Sequence, residues 1–374
     1  MARLHFSLKR FNLIKIFFLR AISGFLPVII AFLLPLITDI EFSSIYFQKF
    51  SQAIILSSIL KLGLDQTILK SQSSFNKLKN LLLIVFISHF LVFLGFFVLD
   101  FKFKTIVYGS FFISINSIIS SFFLTNDFKI KAVCFQFIIP SFLIIGFSIL
   151  KMNPILVVSL SYGSILITLF SKHFIFSSFE IVNDLFNKQF KDNLPLIGYN
   201  VLGVLLMNAP IALADLFISD LEVVLLYKML KVFSLSSFIS MIIIFTFNNE
   251  IREWKSTNIF FKYVRNFIPA IIFFFFALVL LIDYKIIAYD FDLIAIFFCS
   301  IIIYFILAGN IAGHFIILKS HENSLFKIML YTLLVTLTAF IVINNFSVMY
   351  IFAFYIITTF LESLLKIKFI WKLR

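Results

Sequence analysis

Runs of about twenty apolar residues, parted by short polar turns, follow one another to the end of this chain. Each run is long enough to cross the hydrocarbon core of a bilayer as a helix. A segment in hydrocarbon must satisfy its own backbone hydrogen bonds, which a helix does and an open strand does not. A barrel needs strands that alternate apolar and polar residues, and these runs do not alternate. Composition points the same way. Of 374 residues, 62% are hydrophobic and 13% charged, and the mean hydropathy is +1.10. A soluble protein of this length has no core large enough to hide so much apolar surface.

The runs predict an all-α integral membrane protein with twelve spans: 13–38, 42–60, 80–99, 104–124, 132–150, 154–171, 195–218, 221–247, 267–283, 293–318, 325–343 and 347–365. The net charge of +13 would suit nucleic acid if it were clustered. Instead, with the N-terminus inside, 24 of the 31 Lys and Arg fall on cytoplasmic segments and helix ends. Lys102, Lys104, Lys151 and Lys285 fall outside, and Lys49, Lys228 and Lys231 fall within spans. That bias is the positive-inside pattern, and it predicts both termini in the cytoplasm, with Trp254 and Trp371 as anchors on that side. No cleavable signal is expected, because no small-residue site follows the first apolar run. Cys134 and Cys299 lie inside apolar spans and read as packing residues. Residues 172–194 place Ile175, Phe179, Val182, Phe186 and Phe190 at helical spacing among polar residues. They predict an amphipathic interfacial helix that separates a lobe over 1–171 from a second over 195–374.

Several spans carry polar groups that lipid would not tolerate. Span two holds Gln48, Lys49, Ser51, Gln52, Ser57 and Ser58, so one side of it should face protein or water. Asn116 is the one polar residue expected near a centre in spans three and four. Lys49 lies about eight residues from the outer end of its span and Lys231 about ten, roughly 12 and 15 Å deep. A lysine there costs about 2.5–3.5 kcal/mol on the gentlest insertion scale. Lys228 and Lys231 share a helix face. Together Lys49, Lys228 and Lys231 suit an anion such as a diphosphate, unless each amine snorkels out along its stem. Arg20 is either a ligand contact at the cytoplasmic mouth or an ordinary anchor. Asn200 and Asn208 are candidates for contacting sugar, with helix–helix hydrogen bonding as the alternative, and Gln52 is a further sugar-contact candidate. Asp215 and Asp39 close outer hairpins as caps or lysine partners. Asp65 is either an inner gate or the partner of Lys61. His314 is a packed polar group or a proton relay, beside Gly309-Asn310 and Gly313, whose small residues suit close helix packing.

Nothing points to an enzyme or to a cofactor. The sequence has no metal-spaced His/Cys cluster, no glycine-rich phosphate loop and no nucleophile elbow.

Pro35, Asp39, Tyr46 and Lys49 are answered in similar order by Pro210, Asp215, Tyr227 and Lys231, a pattern of parallel repeats known among transporters. The stretch 194–250 resembles the seventh and eighth helices of Wzx-type O-antigen and polysaccharide flippases. These belong to the multidrug/oligosaccharidyl-lipid/polysaccharide exporter superfamily, with the MATE drug exporters and lipid II flippases. The matching residues are Pro195, Asp215, Tyr227 and Lys231; Arg20 to Gly24 resembles the family's opening helix and Leu62 to Asp65 its second-helix ending. The chain is glycine-poor for that family, and Leu226 stands where glycine is usual. The resemblance implies two pseudo-symmetric six-helix lobes. It implies transport of a polyprenyl-diphosphate-linked oligosaccharide from the cytoplasmic to the periplasmic leaflet of the bacterial inner membrane, by a monomer working beside a polysaccharide polymerase and chain-length machinery. Asp215, Asp65, Asp39 and His314 are then candidates for gating or ion coupling. The enzyme alternative, a membrane O-antigen polymerase or ligase, needs a large outer loop with arginines. A drug antiporter needs carboxylates deep in the first lobe, where this chain has Lys49.

Overall fold

The computed structural model describes residues 2–65, 68, 75–99, 101–125, 128–170, 183–253, 257–266, 268–283, 293–319, 321–342 and 347–373. Every regular element among them is helical: α1 (Ala2–Ile37), α2 (Ile40–Leu60), α3 (Phe75–Leu99), α4 (Phe101–Thr125), α5 (Lys129–Val133), a π-turn (Cys134–Ile138), α6 (Ile139–Ile149), α7 (Pro154–Phe170), α8 (Asn183–Ala212), a 3-10 turn (Ala214–Leu216), α9 (Asp220–Glu253), α10 (Thr257–Asn266), α11 (Ala270–Asp283), α12 (Leu293–Leu318), α13 (Glu322–Val342) and α14 (Val348–Lys372). Among the described residues eight segments are long and apolar enough to cross a membrane. The chain is thus an all-α, multi-pass membrane protein in its makeup. α2 is not one of the eight, because Gln48, Lys49, Gln52 and its serines lower its hydropathy.

The turns between helices are set by local chemistry. Asp39 caps α2, its Oδ1 accepting from the Phe42 N–H at 2.6 Å. α2 ends on Leu62 and Gly63, both in the left-handed region (φ 50° and 64°). Gly63 is required twice over: a Cβ there would also sit 2.4 Å from Ile197 Cγ1 of α8. Asn153 accepts from the Ile155 N–H at 3.0 Å, and Pro154 opens α7 at a position where no donor is needed. Ser219 and Glu222 form a capping box at the start of α9, the Glu222 carboxylate accepting from the Ser219 N–H (2.9 Å) and Oγ (2.8 Å).

Two compact units are distinct, Met1–Val224 and Leu225–Arg374, so the division falls inside α9. Of the expected separating segment at 172–194, residues 172–182 lie outside the described ones, as do Trp254 and Lys285, and 183–194 form the first turns of α8, continuous with the apolar run that follows. α9 runs on to Glu253, and α10 adds a further helix before Pro269.

In the first unit α2 is the central helix, packed by α4, α7 and α8. This is where its polar side chains go: Ser43, Ser44, Gln48, Ser51, Ser57 and Ser58 are all buried. The outer faces of the surrounding helices are apolar and open, as Phe86 (53% exposed) and Leu91 (62%) on α3 illustrate. That is the arrangement a bilayer stabilises, polar groups inward and hydrocarbon outward.

The π-turn has an identifiable cause. Ile139 donates to the Cys134 carbonyl, five residues back. The next residue, Pro140, has no N–H, so the Phe135 carbonyl would be left unmet. Asn116 of α4 supplies the missing donor at 2.9 Å, and Ser120 in turn donates to Asn116 Oδ1 at 3.3 Å. Asn116 is not alone among polar groups in its region. His89, near the middle of α3, is buried; its Nδ1 is 2.8 Å from the Val85 carbonyl and its Nε2 is 3.4 Å from Ser114 Oγ. Ser114 Oγ lies 2.9 Å from Ser57 Oγ of α2. His89 is signalled in the sequence by its place within an apolar run.

In the second unit α12 and α14 pack most closely. A Cβ on Gly309 would stand 2.6 Å from Ser363 Cα, so the two backbones touch. The small residue serves close packing, as expected of it.

Candidate functional site

Each lysine within the helices is distinguished by the company it keeps. Lys61 pairs with Asp65 at 2.7 Å, and Ser117 donates to the same carboxylate oxygen at 3.1 Å. Asp65 is thus a partner of Lys61. Lys366, counted by sequence among cytoplasmic helix ends, is instead 2% exposed and ion-paired with Glu362 one turn earlier on α14. This buried pair was missed, though its i, i+4 spacing is visible in the sequence.

Lys49 and Lys231 differ from these. Among the described residues neither has a carboxylate partner. The half-buried Lys49 donates to Gln52 Oε1 at 3.3 Å, and Gln52 Nε2 donates to the carbonyl of Ala212, the last residue of α8, at 2.9 Å. Tyr46 and Phe50 of α2 form a row of stacked rings with Tyr162 of α7, with centroids 5.8 and 5.9 Å apart. In the second unit the Lys231 amine lies 4.8 Å from the centroid of the Tyr227 ring, one turn back on α9. A cation over an aromatic face is stabilised without being neutralised.

The remaining candidates fall out as follows. Arg20 is buried, its guanidinium 5.6 Å from the Phe137 ring centroid. Lys228 is half-buried one turn before Lys231. Asn208 spends its amide on the Val204 carbonyl of its own helix (2.9 Å). Asn200 keeps a buried Nδ2 with no hydrogen-bond partner among the described residues, the kind of unmet donor that asks for an explanation. Asp39 is a helix cap. Asp215 lies in the 3-10 turn, its side chain outside the described residues. His314 is half-buried on α12, one turn after Asn310, which donates to Ser237 of α9 at 3.1 Å.

No family model, curated protein or solved structure matches the chain. The site is read from its own geometry. Among the described residues no cluster of His, Cys, Asp and Glu could hold a metal ion. Chemically, the first unit offers the Lys49 amine on a neutral amide and the second the Lys231 amine over an aromatic ring, neither with a carboxylate partner among the described residues. An amine in such surroundings can attract an anion.

Proposed function

We propose that this chain is a flippase for a polyprenyl-diphosphate-linked oligosaccharide, an O-antigen or capsule repeat unit, carried from the cytoplasmic to the periplasmic leaflet. The single observation that carries this reading is the state of Lys49. A lysine is expensive in a membrane interior, and a protein offsets that cost by pairing it with a carboxylate. Lys61 and Lys366 are paired in that way, whereas Lys49 is held by a neutral amide. The uncancelled charge then awaits a counter-charge from outside the chain. Lysine is a compact cation with three donors, suited to a diphosphate oxygen.

In this account twelve spans form two lobes with both termini in the cytoplasm of a bacterial cell. The lobes rock to open the cavity to one leaflet and then the other. Lys49, Lys228 and Lys231 neutralise the diphosphate, the unmet Asn200 amide contacts sugar, and the lipid tail stays in the bilayer. Partners are the bilayer, the lipid-linked glycan and, downstream, the polymerase that consumes it.

The test is transport in proteoliposomes, followed by quenching of a fluorescent polyprenyl-diphosphate glycan from the outer leaflet. Wild-type protein should expose the whole pool to quencher, Lys49→Ala should leave about half protected, and Lys61→Ala with Asp65→Ala should retain transport. Equal rates for wild type and Lys49→Ala would remove the proposal.

A further inference from the structure

We infer that Gln52 is a positioning residue, which fixes the Lys49 amine and ties it to the C-terminus of α8; its consequence for the ligand rests on the diphosphate reading above. Gln52 and Lys49 are three residues apart on α2 and share a face. The Gln52 amide has only one sensible orientation here. Ala212 ends α8, so its carbonyl belongs to the set of helix-terminal acceptors with no donor in a following turn. A carbonyl accepts and never donates, so the Gln52 NH2 must face it, as the 2.9 Å contact places it. The amide oxygen is then turned to the other side, where the Lys49 amine meets it at 3.3 Å.

This relay joins residues 160 positions apart in sequence. It sets the Lys49 charge against the negative pole of α8, worth roughly half an elementary charge. A helix pole and an amide oxygen stabilise the cation without cancelling it. A carboxylate at position 52 would cancel it. Gln52, expected from sequence to touch sugar, therefore has both ends of its amide committed to protein. Withdrawal of the amine toward a bound anion would release Gln52 and with it the end of α8, just before the turn that enters α9.

The experiment uses the full chain in lipid nanodiscs, with binding of a soluble short-chain polyprenyl diphosphate and acylation of Lys49 by a small activated ester, read by mass spectrometry. Gln52→Met keeps the length and removes both hydrogen bonds. It should speed Lys49 acylation at least threefold and weaken diphosphate binding about tenfold, while adding no further loss to Lys49→Met. Gln52→Glu should abolish binding as fully as Lys49→Met does, and it serves alone if the Met variant fails to reach the membrane. Additive losses in Gln52→Met/Lys49→Met, or an acylation rate unchanged in Gln52→Met, would overturn the positioning role. Absence of diphosphate binding by wild type, with acylation still accelerated in Gln52→Met, would remove the ligand reading and leave the positioning role standing.

Discussion

Removing the Glu362 carboxylate tests how this protein keeps charge inside α14. Glu362→Gln preserves shape but leaves the ammonium of Lys366 buried at 2% exposure without its counter-charge. Breaking a buried pair from one side typically costs about 3–5 kcal/mol. The helix geometry lowers that figure. Lys366 lies six residues before the end of α14 at Lys372, about 9 Å along the axis, so its stem can carry the amine part of the way to water. That relief brings the expected loss down to roughly 2–3 kcal/mol, below the usual range for one-sided disruption. Glu362→Gln/Lys366→Met removes both charges and should return to within about 1 kcal/mol of wild type, because replacing a buried pair by neutral groups is often nearly free. Unfolding in mixed micelles, read as a double-mutant cycle, measures all three variants. The reasoning fails if Glu362→Gln is as stable as wild type, or if the double variant is no better than the singles.

Asn116→Leu should destabilise the first unit by about 1–3 kcal/mol, the cost of leaving the Phe135 carbonyl without a donor; thermal unfolding in detergent checks it. Gly63→Ala should cost at least about 1 kcal/mol from its left-handed backbone alone, plus the clash with Ile197, and Ile197→Ala should recover the clash part only. Reporter fusions should read periplasm at residue 285 and cytoplasm at residue 255, as the distribution of Lys and Arg requires.

The helices were legible because their signal is local. A run of apolar residues long enough for a bilayer has no other way to meet its backbone hydrogen bonds. The caps were partly legible too: Asp39 and the Lys61–Asp65 pair stand within four residues of their partners. The Glu362–Lys366 pair carries the same spacing but was masked by its nearness to the basic C-terminal end. What sequence could not supply is tertiary pairing. Nothing near Asn116 says that Pro140 will strand a carbonyl opposite it, and nothing near Gln52 points to Ala212. For the same reason, sequence places Lys49 and Lys231 within apolar spans but does not reveal that Asp65 and Glu362 pair with other lysines instead.

The proposal on which the rest depends is that lysine charge left uncancelled within the helices draws a diphosphate. Native mass spectrometry of purified protein, offered a polyprenyl diphosphate and the matching neutral polyprenol, tests it most directly. The account predicts that wild type retains the diphosphate and not the alcohol, and that Lys49→Ala/Lys231→Ala loses this preference. Retention of both lipids to the same degree by wild type, or an undiminished preference in the double variant, would contradict it.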